Sequence, residues 1–233
     1  MEHEHISTSY DVELDGLRQS VLDMGCKVGL MITNSVKSLV DRDSPLAERT
    51  IAKDSEINSA EMSIDEHCLE LLALRQPTAR DLRFITLSLK IVNNLERIGD
   101  KCANIAKRVL ELNKEPQLKP YIDLPHMTTM SLEMLRDAIS AFINREPERA
   151  RAVVPRDQDV DDLNRQLHRE LSSYMVERPT TITRCLHLMV ISKSLERIAD
   201  HATNIAEEVV YLYEAKDIRH TSSKADEIEN LSR

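Results

Sequence analysis

Leu95-Glu96-Arg97-Ile98-Gly99-Asp100-Lys101-Cys102-Ala103-Asn104-Ile105-Ala106 returns 100 positions later as Leu195-Glu196-Arg197-Ile198-Ala199-Asp200-His201-Ala202-Thr203-Asn204-Ile205-Ala206. Around the first copy, Ile91, Leu95, Ile98, Cys102, Ile105 and Val109 recur at spacings of three and four, the period of a helix with one buried face. Glu96, Asp100 and Asn104 fall roughly opposite that stripe. Four residues apart, they stack along one line of the helix with β-carbons ~6 Å apart. Gly99, Ala103 and Ala106 flank the line in one copy, and Ala199, Thr203 and Ala206 in the other. These small neighbours predict an oxygen-bearing stripe open to approach.

Working outward, the correspondence continues at an offset of 103: Met24 with Met127, Met31 with Met134, Arg42 with Arg145, Ala47 with Ala150, Asp54 with Asp157. Helical periodicity runs from Ile6 to Val40 and stops at Asp43-Ser44-Pro45, where Ser44 can cap and Pro45 can open the next helix. A second run covers 46–75 and ends at Gln76-Pro77. A third begins after Thr78, a capping residue, and reaches Leu112. Pro116, Pro120 and Pro125 then mark a linker. The pattern resumes at His126 and breaks at Glu146-Pro147 and Arg178-Pro179. Six helices in two matching groups predict an all-α chain of two tandem, pseudo-symmetric, antiparallel three-helix bundles. The bounds are 1–114 for the first bundle, 115–125 for the linker, 126–215 for the second bundle and 216–233 for a polar tail.

Composition agrees and excludes alternatives. Of 233 residues only 3% are aromatic and four are glycine, with no Trp, which removes glycine-rich phosphate loops and argues against sheet folds. A formal net charge of -9 speaks against nucleic acid as the main partner. No apolar run approaches the ~20 residues of a membrane span, and the N-terminus has no apolar signal core, so a cytoplasmic location is expected. Cys26, Cys68, Cys102 and Cys185 lie far apart and read as reduced thiols on half-buried helix faces.

Counting from the turns gives candidate ligands. Asp157 is level with Asp200 and Asp161 with Glu196, while Asp54 is level with Asp100 and Asn58 with Glu96. Each hairpin thus brings several oxygens to one height, a donor set suited to hard cations and acceptable to iron or manganese. The metal candidates are Glu96, Asp100, Asn104, Asp54, Glu196, Asp200, Asn204, Asp157 and Asp161. The competing reading is a solvated face on which Arg97 and Arg197 pair with Asp100 and Asp200. The double occurrence favours a metal, because Glu, Asp and Asn match between copies while several neighbours differ. The run Met1-Glu2-His3-Glu4-His5 reads as a ragged tail, and His201, opposite Lys101 in the repeat, as incidental.

The paired L-E-R-I-x-D-x-x-x-N-I-A segments resemble the twin E/D-x-x-x-D signatures of the PhoU family, as does Gln76-Pro77-Thr78-Ala79-Arg80-Asp81-Leu82-Arg83-Phe84. The resemblance covers residues 10 to 215. It implies two three-helix bundles and metal ions on Glu96 with Asp100 and Glu196 with Asp200. Iron, manganese, magnesium or zinc are the candidates. It implies a cytoplasmic, non-catalytic homodimer that restrains phosphate uptake and phosphate-starvation signalling. The implied partners are the ATPase subunit of the phosphate ABC transporter and the sensor histidine kinase PhoR, with the membrane reached only through them. Residues 80–84, absent from the second copy, are a candidate partner surface. Asn58 in place of Asp161 predicts a first site that holds metal less tightly or with other ligands, and Pro155 in place of Ala52 predicts a kink before Asp157. The alternative is a carboxylate-bridged metal enzyme, whose ferritin-like form needs inward Glu-x-x-His pairs. The single such pair is Glu2 with His5.

Overall fold

The computed structural model describes residues 8–215 and Ile218. Eight helices follow in order: α1 (Thr8–Val40), α2 (Ser44–Ala52), α3 (Asp54–Arg75), α4 (Ala79–Leu112), α5 (Asp123–Asn144), α6 (Pro147–Arg151), α7 (Asp157–Glu177) and α8 (Ile182–Glu214). Short 3-10 turns, Val154–Arg156 and Pro179–Thr181, lead into α7 and α8. The described residues form no strand. Each repeat is a long helix, a short one, a middle one and a second long one.

Several boundaries differ from expectation for local reasons. The run over 46–75 is two helices, interrupted for one residue at Lys53. Asp43, not Ser44, caps α2: its carboxylate accepts from the Leu46 N–H at 2.8 Å. Thr78 does stand at the start of α4, but its hydroxyl donates to Asp81 at 2.6 Å instead of capping a backbone N–H. α5 begins at Asp123, so Pro125 lies in its first turn, where a missing N–H costs nothing. Pro155 sits within the 3-10 turn just ahead of Asp157, which gives the expected change of direction its form. The N-terminal 1–7 segment, with its His3 and His5, and the tail apart from Ile218 lie outside the described residues.

The apolar stripe read from the sequence is the centre of the molecule, with Ile91, Leu95, Ile98, Cys102, Ile105 and Val109 all fully buried. α4 and α8 lie side by side and antiparallel: Arg83 reaches the Leu212 carbonyl (3.5 Å), Lys90 meets Glu208 (3.2 Å) and His201 Nδ1 meets Asn94 Oδ1 (2.9 Å). α1 packs on α4 and α5 on α8, and Phe84 of α4 stacks on Phe142 of α5 with ring centres 5.5 Å apart. The two repeats therefore share one continuous core. α3 lies against α4, and α7 against α8, on the outside.

Candidate metal centre

The interruption at Lys53 makes Asp54 the first residue of α3, and the 3-10 turn makes Asp157 the first residue of α7. A helix start favours a carboxylate electrostatically. Both acids are half-buried, and in each case Oδ1 is buried without a hydrogen bond. Burial, then Asp100, raises the pKa of Asp54, with Lys107 opposing. Asp157 is pushed up to about 6 by burial, then by Asp200, Asp161 and Glu196. Thr203 lies near enough to favour its charged form, although its Oγ1 makes no regular hydrogen bond.

On the facing helices, Glu96 is half-buried and Asp100 exposed in the first repeat. Burial, Asp100 and Glu61 together raise the pKa of Glu96. In the second repeat Glu196 is only 7% exposed. Its Oε1 accepts from Lys193 at 2.5 Å, while Oε2 is buried without a hydrogen bond, its nearest cation being Arg197 Nε at 3.7 Å. Arg197 also donates to Asp200 at 2.7 Å. The solvated-pair reading thus describes the second copy. In the first, Arg97 turns to Asn93 Oδ1 at 3.0 Å.

The helices accordingly bring Asp54, Glu96 and Asp100 into one electrostatic group, and Asp157, Asp161, Glu196 and Asp200 into another. Asn58 and Asn204 are exposed; Asn204 lines a groove between α4 and α8 with Lys90, Asn93 and Glu207. Asn104 is half-buried and makes no side-chain hydrogen bond among the described residues. Sequence reading missed Glu61, half-buried on α3, whose pKa is raised by burial, Asp65 and Asp100. It lies seven residues, two turns, beyond Asp54, a signal visible in the sequence. Its repeat counterpart is Asn164, which is buried and accepts from Ser192 Oγ at 2.5 Å, so comparing copies filtered Glu61 out.

The small residues have another role than the one expected. A β-carbon on Gly99 would lie 3.3 Å from Ile57 Cγ2, and Ala199 is fully buried. They let the middle helix close onto the long one and do not open the carboxylates to approach.

Among the described residues no three Asp, Glu, His or Cys side chains converge as they stand to enclose an ion. The donor set nevertheless fits a hard cation. It consists of oxygens only, neighbouring carboxylates raise the pKa of Asp54, Glu96 and Asp157, and each repeat carries a buried carboxylate oxygen without a hydrogen bond.

Comparisons with known proteins meet this geometry. A family model described as PhoU domain matches residues 21–109 and again 124–209. A "Phosphate-specific transport system accessory protein PhoU homolog" from Pseudomonas aeruginosa is 39% identical over 229 residues, covering 97% of this chain and 95% of the relative. The crystal structure of PhoU from Pseudomonas aeruginosa superimposes with a TM-score of 0.86 at 38% identity, covering 89% of this chain and all of that one. The phosphate transport system regulatory protein PhoU from Streptococcus pneumoniae gives 0.84 at 35% identity over 90% and 99%. With each repeat matched separately and relatives aligned nearly end to end, the chain belongs to the PhoU family.

Proposed function

We propose that this chain is an accessory protein of phosphate uptake that restrains transport and phosphate-starvation signalling. In this reading it is a cytoplasmic, metal-bound, non-catalytic homodimer that links the ATPase subunit of a phosphate ABC transporter to the sensor histidine kinase PhoR. The observation that carries the reading is the twice-built carboxylate cluster with unpartnered oxygens, in a chain whose relatives are named as phosphate transport accessory proteins. No helix among the described residues is long and apolar enough to cross a membrane, so a link to a transporter runs through its surface.

Asp54, Glu61, Glu96 and Asp100 would hold an ion in the first repeat, and Asp157, Asp161, Glu196 and Asp200 in the second. Iron, manganese, magnesium or zinc bound there supplies the positive charge that these clustered carboxylates lack. Asp54 and Asp157 sit on the middle helices and Glu96, Asp100, Glu196 and Asp200 on the long ones, so shared ligation ties each pair of helices together. In the second repeat Lys193 and Arg197 already offset part of the charge, so in this reading the second site is the weaker, the reverse of the order expected from Asn58.

The test captures the transporter ATPase and the kinase on full-length protein, metal-loaded, metal-stripped, or carrying Glu96→Ala with Asp100→Ala. Capture should fall at least tenfold on stripping and in the variant. Equal capture by all three removes the metal from the mechanism. Equal metal content in variant and parent after reconstitution removes these residues from the site.

A further inference from the structure

α4 and α8 run antiparallel and carry one motif 100 residues apart, so equivalent positions of the two repeats stand opposite each other at one level only. The contact of Asn94 Oδ1 with His201 Nδ1 at 2.9 Å fixes that level. Three residues on along α4 comes Arg97, and three back along α8 comes Ile198, the neighbour of Arg197. Two equivalent arginines therefore flank the crossing. One turn further, Lys101 of α4 stands level with Lys193 of α8.

The four cations lie along the edge of this seam. Arg97 and Lys101 share the face of α4 that carries Lys90 and Asn94, the residues that reach α8. Arg197 lies one turn before His201 on the matching face of α8. Arg97, Lys193 and Arg197 are exposed, and Lys101 is half-buried. Burial and then Arg97, helped by Lys101 and Arg197 and opposed by Asp200, hold the pKa of His201 down, so cations of both helices act on one imidazole.

In a chain with a formal net charge of -9 this grouping stands out. Arg97 with Lys101, and Lys193 with Arg197, are like-charge pairs at a four-residue spacing, which is destabilising. The two repeats answer differently. In the second, Lys193 donates to Glu196 at 2.5 Å and Arg197 to Asp200 at 2.7 Å. In the first, Arg97 uses only its Nε, on Asn93 Oδ1 at 3.0 Å. Both of its Nη groups, and the Lys101 ammonium, make no hydrogen bond or ion pair among the described residues. Half of the patch is thus unpartnered, and the other half is held by two carboxylates of the candidate metal centre.

We propose that Arg97, Lys101, Lys193 and Arg197 form a site for a small, doubly charged oxyanion of the phosphate type at the α4–α8 crossing, which Glu196 and Asp200 keep closed until a metal ion engages them. The proposal rests on the metal reading of the second repeat given above. An ion on Glu196 and Asp200 takes over the negative charge that holds Lys193 and Arg197. Ion pairs of exposed side chains are the weak, easily exchanged kind. Guanidinium forks match tetrahedral oxyanions, and lysines add point charge. Helices packed ~8–10 Å apart root the two arginines within reach of one anion.

The test measures radiolabelled inorganic phosphate by equilibrium dialysis on full-length protein, loaded in turn with iron, manganese, magnesium or zinc and desalted, or held in chelator. Metal content is read from the same samples by mass spectrometry. Metal-loaded parent should bind phosphate about tenfold more tightly than parent in chelator. Arg97→Gln should keep its metal and lose that gain. Glu196→Gln/Asp200→Asn opens the site without metal, so in chelator it should match the loaded parent. Phosphate binding that survives Arg97→Gln would put the anion on the metal itself and overturn the proposal. Equal affinity of the double variant and the parent in chelator overturns it too, as does capture of a Glu-rich peptide but not phosphate by the double variant. A parent that takes up metal and gains no phosphate ends this inference and leaves the metal reading standing. A parent that takes up no metal ends that reading, and the metal gate with it.

Discussion

Asp157 shows how one residue's surroundings decide its chemistry. Its ordinary value of 3.8 is raised to about 6 because burial and three neighbouring carboxylates all oppose its charge. A carboxylate whose pKa is higher folded than unfolded costs nothing below the unfolded value and destabilises the fold as the pH rises through the folded one. Discounted for the screening of a half-buried group, the cost at neutral pH is about 1–2 kcal/mol. Asp157→Asn in chelator should therefore raise the unfolding free energy from urea titration at pH 7.5 by that amount, read as a higher midpoint at unchanged slope, with the gain shrinking toward pH 4. A gain of equal size at both pH values would assign the effect to packing. At this scale the sequence was a partial guide. Level counting found Asp54 with Asp100 and Asp157 with Asp200, because height along antiparallel helices follows from residue number alone. Facing does not, so Asn58 and Asn204 point to solvent, and Glu61 was passed over for lack of a match.

Between helices, the repeat records an exchange of one methyl group. Gly99 faces Ile57 in the first copy; the corresponding residues in the second are Ala199 and Val160, all buried. Volume leaves one helix as it enters the other. Gly99→Ala gains about 1 kcal/mol of helix propensity but pushes a β-carbon against Ile57, so alone it should be close to neutral. Combined with Ile57→Val it should be at least as stable as the parent, with a favourable coupling of about 1 kcal/mol in a double-mutant cycle of urea unfolding. Additive effects would show that α3 moves freely over α4. The helices themselves were legible from apolar spacing and proline. The single-residue interruption at Lys53 was not, since its dihedrals stay nearly helical (φ -68°, ψ -16°) and no glycine or proline marks it.

For the molecule as a whole, the stack of Phe84 on Phe142 and the seam of α4 on α8 join what the sequence presents as two units. The repeat announced two copies but carries no information on how copies pack, because the residues that join them are the ones that differ. Cys68 and Cys102 in the first repeat and Cys185 in the second are fully buried and report on each half, while Cys26 is exposed. Thiol labelling in mild urea should expose the three buried cysteines at one common rate. Phe142→Ala, at a cost of about 3–5 kcal/mol, should accelerate all three together. Acceleration of Cys185 alone would mean that the halves unfold separately. Arg42 is held by the carbonyls of Asn113 and Glu115, whereas Arg145, its repeat counterpart, makes no hydrogen bond or ion pair among the described residues. The two repeats match in sequence and in helix order, yet one presents a satisfied guanidinium where the other presents an exposed one. A neighbour that grips one end cannot slip round and grip the other, so the molecule has a head and a tail despite its doubled frame.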